Sequence, residues 1–475
     1  MLIRKGLLFV KQNHIIKRII SIILTALLIF TVMPLSSFAA DDGFTPVLRF
    51  IASSDSHVRM TNDTAVIRIR DMLTQTYDYS EKDSRYNNLD ALVMAGDLTN
   101  DGTKEEFDKF WSAVSSAKRD ETQFLGVVAK NHDGYVMRRK ELRSYFSSLT
   151  NTEPDFHLVI NGFHFIGLSA SDKDGIHYSS AQLKWLKAQL DNAVEKNPDK
   201  PVFFIHHEHN RNTVYGSSTF DGWGITNFKN ILKKYPQVVD FSGHSHYPLN
   251  DPRSVWQGEY TAIGTGALAY SEFTIDTYRA YDPPGCENTA TYWIVEVNAN
   301  GDMHLCGMDV TAAKQICEYT IKNPADKSNR EFTPQKQKAA SKAPVFADGA
   351  VVETKTDGEG RLLISAPAAE STDGMPVVLY RITVKNSLGF TVNKQWFLPH
   401  YYDADTQEET ITFELDGLSK GKYTASITAE TAYGVQSEPL NSTITLDSGA
   451  SGFLAFFRAI LWPIIKLFEI TTHLF

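Results

Sequence analysis

The stretch Val47-Leu48-Arg49-Phe50-Ile51-Ala52-Ser53-Ser54-Asp55-Ser56-His57 decides the fold class. A short run, apolar apart from Arg49, breaks directly into polar residues. The same pattern returns along the chain. Leu89 to Ala95 ends in Gly96-Asp97, and Phe124 to Ala129 ends near Asn131-His132. Phe163 to Leu168, Val202 to Ile205 and Val238 to Phe241 complete the series. Short continuous apolar runs suit strands covered on both faces.

Helical patterns lie between them. Thr103-x-x-Glu106 is a capping box opening a helix with Phe107, Phe110, Trp111 and Val114 on one face. Ser180 can cap another helix, with Leu183, Leu186, Leu190 and Val194 at spacings of three and four. The alternation predicts a layered α/β domain over residues 45–310. Polar residues gather at successive strand ends, the edge where ligands bind in such sheets.

The rest of the chain divides by composition. Arg4, Lys5, Lys11, Lys17 and Arg18 precede an uncharged apolar run from Ile19 to Met33, followed by small residues through Ser37-Phe38-Ala39. Residues 1–39 therefore read as a secretory signal peptide rather than an uncleaved anchor. The leader holds five of the 47 basic residues and no acidic one, so its removal takes the formal charge from -9 to -14. Such acidity argues against specific nucleic-acid binding. Cys286, Cys306 and Cys317 form no CxxC or zinc-finger spacing.

Residues 311–345 read as a linker, with Ile321 to Lys342 poor in large apolar residues. Over 346–447, Val377 to Ile382, Thr410 to Phe413 and Tyr423 to Ile427 alternate like strands of an antiparallel β-sandwich. Leu418-Ser419-Lys420-Gly421-Lys422-Tyr423-x-Ala425-x-Ile427-x-Ala429, then Gly434, resembles the tyrosine-bearing strand and turn of fibronectin type III domains. From Gly452 to Phe475 the chain is apolar and aromatic. On a helix, Arg458, Lys466, Glu469 and His473 share one narrow sector, while Pro463 and the charges argue against a spanning segment. An interfacial membrane helix and a helix docked on protein both fit.

The strand ends carry the chemistry. They deliver Asp55 and His57, Asp97, Asn131, His206, and His244 and His246: seven nitrogen or oxygen donors without sulfur. That set suits Mn, Zn or Fe ions. It is too large for one tetrahedral site and suits two ions sharing Asp97. Two ions about 3.5–4 Å apart activate water and clamp a phosphoryl group. His132 stands ready to stabilise charge or protonate the leaving oxygen, with Asp133 expected to orient its imidazole.

The order Asp-x-His, Gly-Asp, Asn-His-Asp, His, Gly-His-x-His resembles the calcineurin-like metallophosphoesterases over about residues 47–270. The resemblance implies a β-sandwich flanked by helices with a dinuclear centre at one edge. Asp55, His57 and His246 would hold one metal, Asn131, His206 and His244 the other. Asp97 would bridge, His132 would contact phosphate or donate a proton, and a metal-bridging hydroxide would attack the phosphoester. Two departures stand out. Lys130 replaces the family's usual glycine before Asn-His, a change that costs about 1 kcal/mol or more if φ is positive. Its cation would either bind phosphate or weaken the second metal site. The usual proline is also missing from His206-His207-Glu208-His209. His206 is the expected ligand, His207 a residue behind it, and Glu208 or His209 face substrate or solvent.

His157, His164 and His177 are expected to be structural or exposed. Tyr215, Phe220 and Trp223, in the segment from Asn210 to Gly224, either line a pocket or pack on one another. Asn100 and Asp101 are expected as turn formers. Together these readings describe an exported phosphohydrolase, cleaving phosphodiesters or phosphomonoesters and held at the outer membrane face by its C-terminal helix. The rival is a surface adhesion protein with a decayed phosphoesterase domain.

Overall fold

The computed structural model describes residues 43–276, 278–356, 361–406 and 408–446. The expected leader and the C-terminal segment 452–475 lie outside them. Among the described residues no helix is long and apolar enough to cross a membrane.

The first domain opens β1 (Pro46–Ser53), α1 (Thr64–Lys82), β2 (Ala91–Ala95), α2 (Lys104–Ala117), β3 (Gln123–Val127), α3 (Arg139–Thr150). It continues β4 (Asp155–Ile160), β5 (Phe163–Leu168), α4 (Ser180–Lys196), β6 (Val202–Ile205), α5 (Lys229–Leu232), β7 (Val238–Ser242). The remainder is β-rich: β8 (Val255–Gln257), β9 (Thr261–Gly264), β10 (Phe273–Ile275), β11 (Tyr278–Tyr281), β12 (Thr291–Asn298), β13 (Met303–Asp309) and β14 (Lys314–Ile321). Two six-stranded sheets result, ordered β14-β13-β12-β1-β2-β3 and β4-β5-β6-β7-β9-β8. The pairs β1–β2, β2–β3, β5–β6, β6–β7 and β7–β9 are parallel. Antiparallel β12, β13 and β14 extend the first sheet beyond β1.

The sheets pack face to face. Phe50 of β1 meets Phe165, Phe203 and Phe241 of the other sheet at centroid distances of 5.2, 5.0 and 5.7 Å. Each such fully buried ring stabilises the fold by roughly 1.5–3 kcal/mol. A second cluster seals α1, α2 and α3 against the outer face of the first sheet, and a third seals α4 and α5 against the other. The result is a β-sandwich flanked by helices, with strands covered on both faces.

Arg49, the exception in the first apolar run, is fully buried in β1 and ion-paired with Glu296 at 2.6 Å and Asp83 at 2.6 Å. A buried guanidinium is tolerable only when partnered in this way.

The capping box at Thr103 forms in both directions. The second cap is Ser179, one residue earlier than expected, and it exchanges hydrogen bonds with Gln182. Helix α1 had no expected counterpart because its buried face is broken by Arg68, Thr76 and Ser80. The start of the expected linker is also corrected. Lys314–Ile321 forms β14, and Phe332 still packs on the inter-sheet core. Only a short connection with a helix at Pro334–Ala340 remains.

The second domain is all-β, with one sheet of three strands and one of four. The three are β15 (Glu353–Thr356), β16 (Leu362–Pro367) and β19 (Thr410–Leu415). The four are β17 (Val377–Asn386), β18 (Thr391–Phe397), β20 (Gly421–Thr431) and β21 (Leu440–Leu446). Tyr423 donates its hydroxyl to the Ser419 carbonyl at 2.8 Å, pinning the turn before β20. The domain docks on the first: Phe273 and Ile275 of β10 bury against Val378, Leu379, Tyr402 and Ala432. Arg381 makes two hydrogen bonds of 2.8 Å to Asp276.

Candidate metal centre

The polar residues collect at the carboxyl ends of the parallel strands, where chain direction places loops from both sheets at one edge. Asp55 and His57 follow β1, Asp97 follows β2, Asn131 and His132 follow β3, His207 follows β6, and His244 and His246 follow β7. Three groups of potential ligand atoms, each within 4.8 Å of one another, are Asp55–His57–His246, His57–Asp97–His132 and Asp97–His207–His244. Asp97 belongs to two of them.

The contacts are close. His246 Nε2 lies 3.1 Å from both Asp55 Oδ1 and His57 Nε2. His207 Nε2 is 3.0 Å from Asp97 Oδ2, and Asn131 Nδ2 donates to the same oxygen at 2.7 Å. Asp55 Oδ2 accepts from the His244 backbone N–H at 3.0 Å, which ties the loops after β1 and β7 together. Gly243 is required there, since a Cβ would run into Asp55 and Ser54. Gly96 (φ +89°) likewise leaves room for the His207 ring.

The arrangement is strained. Among the described residues eleven non-glycine positions have positive φ, and five are Asp55 (51°), His57 (44°), Asp97 (48°), His244 (76°) and His246 (56°). Strain of this kind persists only where surrounding structure or function demands it.

The residues fit divalent or trivalent cations. Asp97 Oδ1, Asn131 Oδ1 and His207 Nε2 are buried without a hydrogen-bond partner. Inward-facing acceptors that meet no donor call for a cation. His207 Nδ1 lies 2.9 Å from the Ala95 carbonyl. That nitrogen must carry the proton, because a carbonyl only accepts, and Nε2 is left as a ligand.

His206, the expected ligand, is not in the cluster. Its Nε2 is 2.7 Å from Asp240 Oδ1, and its ring stacks on Phe204 at 4.8 Å. Strand alternation explains the correction. Phe203 and Ile205 face the other sheet, as does His207, whereas Phe204 and His206 face the helical layer. His209 is also structural, bonded through Nδ1 to Ser242 and through Nε2 to Ser245.

Asp133 does not orient His132. Its Oδ1 accepts from Thr99 N and Oγ1, and its Oδ2 accepts from Ala129 N. Burial and Asp97 push its carboxyl up to about 7. The Asn100 carbonyl takes the role instead, accepting from His132 Nδ1 at 2.8 Å. Asn100 is thus more than a turn former. No side-chain signal could reveal it, because the contact is through the backbone.

Burial disfavours the charged forms, but mutual pairing overrides it at the carboxylates. His246, His207 and His57 hold Asp55 far below the usual range, and His207 and His57 lower Asp97. Burial and the neighbouring imidazoles push His57 down to about 3 and His244 to about 4. His57 and His244 are thereby neutral, as ligation needs, whereas the paired carboxylates raise His207 and His246, so that a cation binding there would displace protons.

Lys130 is not among the positive-φ residues, so its backbone bears no left-handed strain. It lines a cavity of about 580 Å³ beside the cluster, with Asn131, His177, Arg211, Trp223 and His244. Trp223 therefore faces that cavity. Tyr215 packs under Arg253 and on Tyr247, and Phe220 lies under Arg279. His157 and His164 pair with each other at 2.7 Å, as structural residues do, while His177 belongs to the cavity. Tyr270 had no expected role, yet its ring sits 4.4 Å from His246. Arg68 secures that loop by donating to the carbonyls of Leu268 and Ala269 at 2.8 and 2.5 Å.

Residues 48–248 match the family model of the calcineurin-like phosphoesterases. A probable glycerophosphodiester phosphodiesterase of Arcobacter nitrofigilis is 34% identical over 175 residues. The match covers 34% of this chain and spans 59% of that relative's length. Among solved structures, purple acid phosphatase PPD1 of yellow lupin aligns with a TM-score of 0.41 at 12% identity, over 59% of this chain and 54% of that one. GAP50 of Plasmodium aligns with a TM-score of 0.38 at 14% identity, over 58% and 89%.

Proposed function

We propose that this chain is a metal-dependent phosphoester hydrolase, cleaving phosphodiesters in preference to phosphomonoesters. One observation carries the reading: Asp97 belongs to two ligand clusters at once, beside buried oxygens that meet no donor. The phosphodiesterase name of the Arcobacter relative supports the choice of diesters.

Asp55, His57 and His246 would hold one ion, and Asn131, His207 and His244 the other, with Asp97 between them. Ions so held supply an activated water and a clamp on the phosphoryl oxygens. The protein's own part is positional. The Asn100 carbonyl fixes the His132 tautomer with the proton on Nδ1, so Nε2 can hold a proton for the leaving oxygen. His132 is set edge-on to His57 at 4.3 Å, within reach of a phosphoryl group in the centre. Export rests on residues 1–39, and membrane-surface contact on 452–475. The fibronectin type III assignment is supported by the sheets of three and four strands and by the Tyr423 hydrogen bond.

The test combines metal analysis with a hydrolysis panel of monoesters, diesters and nucleotides under Mn, Zn and Fe. Two bound equivalents and diester turnover are expected. Asp97→Ala is expected to lose metal and at least about 100-fold in activity. Full metal-dependent turnover in Asp97→Ala and His244→Ala would overturn the scheme.

A further inference from the structure

The cavity beside the metal centre holds a chain of side chains that metal ligation does not use. Lys130 Nζ is 2.9 Å from His177 Nε2, and His177 Nδ1 is 2.9 Å from Glu208 Oε1. The direction of these bonds follows from chemistry. An ammonium only donates, so His177 Nε2 accepts and Nδ1 carries the proton that Glu208 receives. Tyr178 donates to the other Glu208 oxygen at 3.0 Å. The carboxylate is 4% exposed and has both oxygens engaged. It anchors the lysine through the imidazole but offers the cavity no acceptor of its own.

Lys130 gives one of its three N–H bonds to His177 and has two left for a ligand. Arg211, on the same wall, is steadied by Nε and Nη2 bonds of 3.2 and 3.1 Å to the Gly224 carbonyl. Trp223 forms part of the same wall. Its ring stands edge-on to His244, 5.0 Å away, so the wall is continuous with the metal centre. Two cations line the cavity, and its one carboxylate is spent. Such a surface recognises an anion through charge-assisted hydrogen bonds.

We propose that this cavity is a substrate subsite, selecting phosphodiesters whose ester arm carries a second anionic group, with Lys130 as the specificity-determining contact and His177 as its positioning residue. The catalytic half of this inference rests on the phosphoesterase reading; the anion subsite does not. Lysine at this place is then a device for selection rather than a lesion.

The probes are 4-nitrophenyl phenyl phosphate and its 3-carboxyphenyl counterpart, which release the same nitrophenolate. With Mn-loaded protein, the carboxylated diester is expected to have a kcat/KM about tenfold higher, mainly through KM. Lys130→Met is expected to abolish that preference, Lys130→Arg to keep it, and His177→Phe to reduce it. Calorimetric titration of both diesters into chelator-treated protein, checked for folding by circular dichroism, reads the subsite without turnover. Tighter binding of the carboxylated diester by the natural chain, lost in Lys130→Met, is expected. If that result comes with no turnover of either diester, the phosphoesterase reading fails and the subsite stands. Equal affinity of the two diesters for the natural chain, or a preference that survives Lys130→Met, overturns the proposal.

Discussion

Each of the five strained residues around the metal centre stores about 1 kcal/mol or more of backbone energy. The surrounding hydrogen bonds hold that strain, and bound cations would offset it further. A ligand that binds only the folded state stabilises it by mass action, about 4 kcal/mol at a thousandfold excess over Kd. Chelation is therefore expected to lower the thermal midpoint by several degrees and readdition of Zn or Mn to restore it, measured by scanning calorimetry. Adjacent histidines should respond differently. His207→Ala is expected to cut bound metal to one equivalent or fewer while leaving the melting curve of metal-free protein largely unchanged. His206→Ala is expected to retain metal but lose about 3–5 kcal/mol of stability, because Asp240 Oδ1 is left buried without its imidazole partner, with only the Asn210 amide still donating to the other oxygen. Metal analysis and urea unfolding of the two variants separate these outcomes.

At the scale of elements, the β12–β13–β14 ladder depends on a polar network inside the sheet. His304 Nδ1 lies 3.2 Å from Glu296, which also pairs with Arg49, and Nε2 lies 2.7 Å from Glu318. Burial lowers the His304 pKa, but hydrogen bonds to Cys306 and Glu296 outweigh it and raise the value to about 11. A raised imidazole contributes its stability fully below the unfolded pKa, about 6.5, and loses it as pH climbs toward the folded value. The thermal midpoint is therefore expected to fall between about pH 7 and 10. His304→Gln should flatten that slope, and an unchanged slope would contradict the assignment. Helix α2 depends on a simpler device. Thr103→Ala removes the capping box and is expected to cost about 1 kcal/mol in urea unfolding. This cap was legible from two residues. Helix α1 was not, because Arg68 is buried by donating to distant backbone carbonyls rather than by apolar periodicity.

Over the whole molecule, the two domains share a core rather than a tether. Phe273, 1% exposed, lies 4.8 Å from the Tyr402 ring and belongs to the segment that runs on from His246 through Tyr270. Tyr247 and Thr274 are hydrogen-bonded through their hydroxyls, so the metal-centre loop and the interface form one packed unit. Phe273→Ala is expected to destabilise the chain by about 3–5 kcal/mol, a core-sized penalty for an interdomain residue. Denaturant unfolding measures it, and a cost below about 1 kcal/mol would mean that the domains behave independently.

Local patterning alone determined the layered α/β class, the strand ends and the residue types that gather there. Short apolar runs and caps are written in neighbouring residues, and a strand's direction decides which end its loop occupies. Periodicity could not choose between His206 and His207. A strand alternates faces whichever face is inner, and only the packing of Phe203 and Ile205 against the opposite sheet tells which. The Asn100 carbonyl, the Tyr270 ring and the Lys130–His177–Glu208 chain were likewise settled by the tertiary structure. Each joins residues from separate loops, through contacts that no spacing along the chain encodes.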